Sequence, residues 1–164
     1  MKNETTFDQT AANQPHAQRA RWMIVDDNLD VLSLLVAVAR STNRAEVSGY
    51  RSGAEALEAF VAAPAGVELV ITDLEMPQMD GLSLSRQLLA RAPHLKILLT
   101  TGSGLVSESE ARQFGLCGLL NKPFLPSDLL ETLTTLGLLS GSAAGKRNPA
   151  QNPFAVTAKS LAAA

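Results

Sequence analysis

Short apolar runs alternate with helical periods through the middle of this chain. Trp22-Met23-Ile24-Val25, Val67 to Thr72 and Leu95 to Thr100 are mostly apolar, and Ala45 to Tyr50 and Cys117 to Leu120 are shorter strand candidates. Runs of this length with little polar alternation predict strands covered on both faces. Between them the period changes. Val31, Leu34, Leu35 and Val38 recur at i, i+3, i+4 and i+7, the spacing of one helix face. Ser52-Gly53-Ala54-Glu55 has the form of a capping box, with Ala54, Leu57 and Val61 as the stripe behind it. Asp80 is placed to cap a helix carrying Leu84, Leu88 and Leu89. Glu108 to Phe114 predicts a short polar helix stopped by Gly115. Pro126 opens a last helix with Leu129, Leu130, Leu133 and Leu136.

Strands joined through helices must run parallel. The predicted class is therefore α/β, a doubly wound, five-stranded parallel sheet with helices on both faces. The order of the strands does not follow from the pattern.

Composition narrows the picture at the ends of the chain. The first 20 residues are polar, of mixed charge and without an apolar period, and are expected to form a disordered leader. From Ser140 to Ala164 the chain is rich in small and polar residues and reads as a flexible tail, although Phe154, Val156 and Leu161 offer a docking segment. The ordered domain is expected over 21–139. Aromatic residues are only 4% of the chain, so Leu, Val, Ile and Ala must fill the core. The net charge of −2 gives no basic excess for nucleic acid or anionic lipid, and Lys146-Arg147 is too small a cluster to supply one. One cysteine, Cys117, rules out an internal disulfide. No apolar stretch is long enough for a membrane span or placed for a secretory signal, so the expected location is the cytoplasm.

The chemistry stands just beyond the apolar runs. The first ends in Asp26-Asp27, the third in Asp73, the fourth in Thr101 and the fifth, past Asn121, in Lys122. In a parallel sheet these carboxyl ends share one edge, where ligands bind. Three carboxylates gathered there repel one another unless a cation lies between them. An all-oxygen set without His or Cys selects a hard ion such as Mg²⁺. Lys122 is a point charge suited to a phosphate oxygen, and the hydroxyl of Thr101 can donate to another. Asp73 is then the candidate nucleophile, forming an aspartyl phosphate. Taken singly, these residues also have plain readings. Asp26-Asp27 could open a helix capped by Asn28, Asp73 could begin a turn, Thr101-Gly102 could be a turn, and Lys122 could be a solvated lysine. Their joint placement favours the chemical reading.

Four motifs in order resemble the response-regulator receiver domain of two-component signalling. They are Val25-Asp26-Asp27-Asn28, Asp73-Leu74-Glu75-Met76-Pro77 with Asp80-Gly81, Thr101-Gly102, and Lys122-Pro123-Phe124. The resemblance runs from about Arg21 to Gly137 and implies the CheY-like, flavodoxin-like fold. It also implies that Asp26 and Asp27 form the acidic metal-binding pair and that Asp73 is both phosphoacceptor and metal ligand. The backbone carbonyl of Glu75 would be a further ligand to Mg²⁺, Thr101 the switch hydroxyl and Lys122 the phosphate-binding lysine. A cis peptide bond is implied at Lys122-Pro123. Side chains at Glu75 and Ser103 occupy positions that tune dephosphorylation in the family. One position departs from the pattern: where relatives often carry a rotating Tyr or Phe, this chain has Leu119.

The implied function is a stand-alone phosphorelay switch. A histidine kinase or phosphotransfer protein donates to Asp73, and a protein partner reads the phosphorylated face. No nucleic acid or membrane is engaged directly, and no enzymatic turnover is expected beyond self-phosphorylation and slow self-dephosphorylation. Two rival classes make different demands. A Mg²⁺-dependent phosphatase working through an aspartyl phosphate needs a general acid, which Glu75 superficially offers, and a cap for which there is little chain. A constitutive binding module has no use for a complete acidic site.

Overall fold

The computed structural model describes residues 19–139. The leader and tail expected from composition lie outside them, apart from Arg19 and Ala20. Five strands and five helices alternate: β1 (Arg21–Val25), α1 (Leu29–Ser41), β2 (Glu46–Tyr50), α2 (Gly53–Ala62), β3 (Val67–Asp73), α3 (Gly81–Arg91), β4 (Lys96–Thr101), α4 (Glu108–Gln113), β5 (Gly118–Asn121) and α5 (Pro126–Thr135). All pairings are parallel, and the order across the sheet is β2-β1-β3-β4-β5. The chain reverses direction across the sheet between β1 and β3, which places the crevice at their carboxyl ends.

Alternation along the central strands divides the core in two. Met23, Val25, Val70, Ile97, Leu99 and Leu119 pack with α2, α3 and α4, and Trp22, Ile24, Leu69, Ile71, Leu98 and Leu120 pack with α1 and α5. The helices begin where their caps predict. Asn28 accepts from the amides of Asp30 and Val31, Ser52 from Glu55 and Asp80 from Ser83. The return arm of the Ser52 box differs from the expected form, because Glu55 accepts from the amide of Arg51 instead of Ser52.

Two helix stripes are rotated from those expected. In α1 the buried residues are Leu32, Leu35 and Ala39, whereas Leu34 is 42% exposed. In α2 they are Gly53, Ala56 and Phe60, whereas Val61 is 55% exposed and Ala54 lies at the surface. Both helices carry more apolar residues than one face holds, so periodicity admits neighbouring phases. Packing against the sheet selects one of them.

Candidate functional site

Asp26 follows β1 and is fully buried, while Asp73 closes β3 and is nearly so. Backbone bonds and one glycine set their positions. The amide of Leu74 donates to the Thr100 carbonyl at 2.8 Å, carrying the β3–β4 ladder past Asp73, and the amide of Gly81 returns to the Leu74 carbonyl at 3.0 Å. A Cβ on Gly81 would collide with the carbonyl of Asp73, so only glycine lets the start of α3 come this close. Asp26 is fixed through one oxygen by the amide of Asn28 at 2.9 Å. Asn28 therefore caps α1 and braces the acidic residue before it.

The structure brings Asp26, Asp27 and Asp73 together, each offering a carboxylate oxygen within 4.8 Å of the others. Lys122 reaches the same place from the end of β5, with Nζ 3.0 Å from Asp26 Oδ2 and 2.9 Å from Asp73 Oδ1. Its backbone amide donates to the Thr101 carbonyl at 2.7 Å, and the Lys122-Pro123 bond is cis. Burial raises the pKa of Asp26 above the ordinary carboxylate value, and the bond from Lys122 only partly opposes this. For Lys122 burial is again the largest influence and favours the neutral amine, but hydrogen bonds and attraction from Asp73 and Asp26 together outweigh it and raise the pKa. The site thus holds one ammonium among three carboxyl groups, an all-oxygen donor set suited to a hard divalent cation.

Thr101, at the end of β4, is also buried, and its hydroxyl is engaged with Ser103: the two side-chain oxygens are 3.2 Å apart, and the Ser103 amide donates to Thr101 Oγ1 at 3.3 Å. Glu75 lies two residues past Asp73 on the loop to α3, with its side chain exposed and directed towards Gly102. A Cβ on Gly102 would meet nothing nearer than Glu75 Oε2 at 3.7 Å. Leu119 is buried in the cluster that contains Leu99, Val106 and Ala111. Cys117 donates its thiol to the Ile97 carbonyl, and burial pushes its pKa up to about 11, which keeps it a neutral packing residue.

Sequence reasoning missed one polar group at the site. Thr100 is fully buried, and its hydroxyl donates to Asp73 Oδ1 at 3.4 Å. The available signal was a second hydroxyl, at the end of Ile97-Leu98-Leu99-Thr100 and directly before the motif residue Thr101.

Among the described residues no helix is long and apolar enough to cross a membrane. Comparison with known proteins places the chain. The family model for the response regulator receiver domain matches residues 22–134. A protein-glutamate methylesterase/protein-glutamine glutaminase of Cereibacter sphaeroides is 35% identical over 120 residues, covering 72% of this chain and 32% of that protein. The response regulator receiver protein CpdR of Brucella abortus is 31% identical over 116 residues, covering 69% of this chain and 92% of that protein. Among solved structures, the chemotaxis protein CheY4 of Vibrio cholerae superposes with a TM-score of 0.61 at 28% identity, covering 70% of this chain and 96% of that one. The chain spans about a third or less of the length of the first curated relatives it matches. Receiver domains take a phosphoryl group on an aspartate and bind Mg²⁺ in an acidic pocket. With the acidic site at the sheet edge and the family match across the sheet that builds it, this chain belongs to the response regulator receiver domain family of two-component signalling.

Proposed function

We propose that this chain is a stand-alone cytoplasmic receiver, with residues 21–139 as its working unit, that accepts a phosphoryl group on Asp73. The observation that carries the reading is the ammonium of Lys122 bonded to both Asp26 and Asp73 beside the clustered carboxylates. The stand-alone arrangement draws on the Brucella relative, 92% of whose length is matched.

The donor is a phosphohistidine of a histidine kinase or phosphotransfer protein. A carboxylate oxygen of Asp73 attacks phosphorus, the new O–P bond forms as the P–N bond breaks, and the imidazole leaves with the electron pair of that bond. The carboxylates of Asp26, Asp27 and Asp73 and the backbone carbonyl of Glu75 would hold Mg²⁺. Bound there, the ion supplies positive charge against the phosphoryl oxygens. Lys122 exchanges its hold on Asp73 for a phosphoryl oxygen. Thr101 leaves Ser103 and donates its hydroxyl to another. Asp73 is consumed once per event, so the chain acts as a switch and not as a catalyst with turnover.

Output follows from what Thr101 leaves behind. Leu119 has neither ring nor hydroxyl with which to report the change. The response therefore runs through the loop after Thr101 and through α4, and a protein partner reads that altered surface.

Acetyl phosphate with Mg²⁺ should add one phosphoryl group by intact mass, and Asp73→Asn should abolish it. Stoichiometric labelling of the Asn variant would sink the assignment. Sustained hydrolysis of small phosphate esters would favour the phosphatase reading. Backbone amide NMR with beryllofluoride, a phosphoryl mimic, tests the output. Large shifts are expected from Gly102 to Phe114, with the Leu119 rotamer unchanged.

A further inference from the structure

Thr100 stands opposite Asp73 in the β3–β4 register and opposite Leu120 in the β4–β5 register. Parallel partners in register point to the same side of a sheet. Alternation along the strands gives that side Ile71 and Leu98, so Thr100 places a hydroxyl on an aliphatic face. A buried hydroxyl without a partner is costly, and valine would fill the same volume without that cost. The hydrogen bond of the Thr100 side chain goes to Asp73 Oδ1. Its main-chain carbonyl holds the next residue, accepting from the Leu74 amide at 2.8 Å. Thr100 thus grips both the side chain of Asp73 and the backbone that follows it.

The contact has a direction. Lys122 Nζ also donates to Asp73 Oδ1, at 2.9 Å. Two donors on one oxygen, one from β4 and one from the segment just past β5, limit rotation of the carboxylate. At 3.4 Å the hydroxyl bond is long for this pair. Bonds to reacting groups often tighten only in the reactive complex. When Lys122 turns to a phosphoryl oxygen, Thr100 remains as the donor on Oδ1.

We propose that Thr100 is a positioning residue for phosphoryl transfer, orienting the Asp73 carboxylate while Thr101 answers the phosphoryl group. This rests on the reading of Asp73 as phosphoacceptor. The test compares phosphorylation rates from acetyl phosphate, followed by intact mass across a Mg²⁺ titration, for wild type, Thr100→Val, Thr100→Ala and Thr100→Ser.

Both hydroxyl-free variants should label about five- to tenfold more slowly at saturating Mg²⁺, the loss of one hydrogen bond in the transition state. Their Mg²⁺ midpoints should stay within about twofold of wild type, and Thr100→Ser should recover most of the rate. A purely structural role would make Thr100→Val the mildest change and Thr100→Ala the most harmful. Wild-type rates in the valine or alanine variant, or a serine variant as slow as valine, would overturn the proposal. Failure of the wild-type chain to label at all would count against the phosphoacceptor reading instead.

Discussion

The two halves of the site edge are held by different forces. On the β1–β3 side, Asp26 and Asp73 are buried and held by Lys122 and by backbone bonds from Asn28 and Leu74. On the β4–α4 side, Leu105 is 73% exposed and α4 buries Ala111 alone among its residues. That short helix is held at its ends. Ser107 and Glu110 form a reciprocal capping box. At the other end, the Leu116 amide bonds the Ala111 carbonyl and the Gly115 amide bonds that of Arg112, with Gly115 at φ +78°. End caps can be kept while a helix shifts as a unit, whereas core burial cannot. The difference suits one half to hold charge in place and the other to move at modest cost.

The contrast fails most visibly if the rigid half proves tolerant. Gly81→Ala should destabilise the domain by about 3 kcal/mol, because its Cβ must displace the Asp73 carbonyl or separate α3 from β3. Urea denaturation measures this, and a near-neutral result would mean that the loop after Asp73 yields.

The next effect concerns charge. Burial holds the pKa of Asp26 above its ordinary 3.8, so the folded metal-free chain keeps that proton more tightly than the unfolded chain. The contribution of Asp26 to stability therefore falls as pH rises from 3.8 through its folded value. Asp26→Asn removes this dependence. Relative to wild type the variant should gain stability over that window in metal-free buffer, by thermal melts at successive pH values. A parallel pair of stability curves would contradict the assigned burial cost.

A smaller and local effect is expected at α4. Ser107→Ala should cost about 1 kcal/mol, the usual loss for an N-cap. Hydrogen exchange should quicken across Glu108–Gln113 and leave β1 and β3 unchanged. Protection lost equally in the central strands would show that the two halves are one cooperative unit. The smallest change is Gly102→Ala. A Cβ there meets only ordinary contacts, so stability should stay within about 0.5 kcal/mol. A larger loss, read from the melting temperature, would reveal crowding between Glu75 and Lys122.

Much of this protein was legible in the sequence because its signals are local. Apolar runs marked the buried strands, β2 being a more polar strand in which only Val47 is buried, and Asn28, Ser52 and Asp80 marked helix starts through bonds to amides two or three residues on. The acidic and basic residues after the strands could be gathered at one edge because a parallel sheet aligns all its carboxyl ends.

The tertiary structure decided what depends on a partner distant in sequence. Strand order arises from which crossovers pack together, and no single segment encodes it. The buried stripes of α1 and α2 were chosen by the sheet beneath them, because each helix has apolar residues to spare. The start of α4 at Glu108 was legible in the sequence, whereas the single residue it buries, Ala111, was settled by packing. Thr100 gained its role only when β3 and β4 came into register, because a hydroxyl at the end of an aliphatic run is unremarkable until a carboxylate lies across from it.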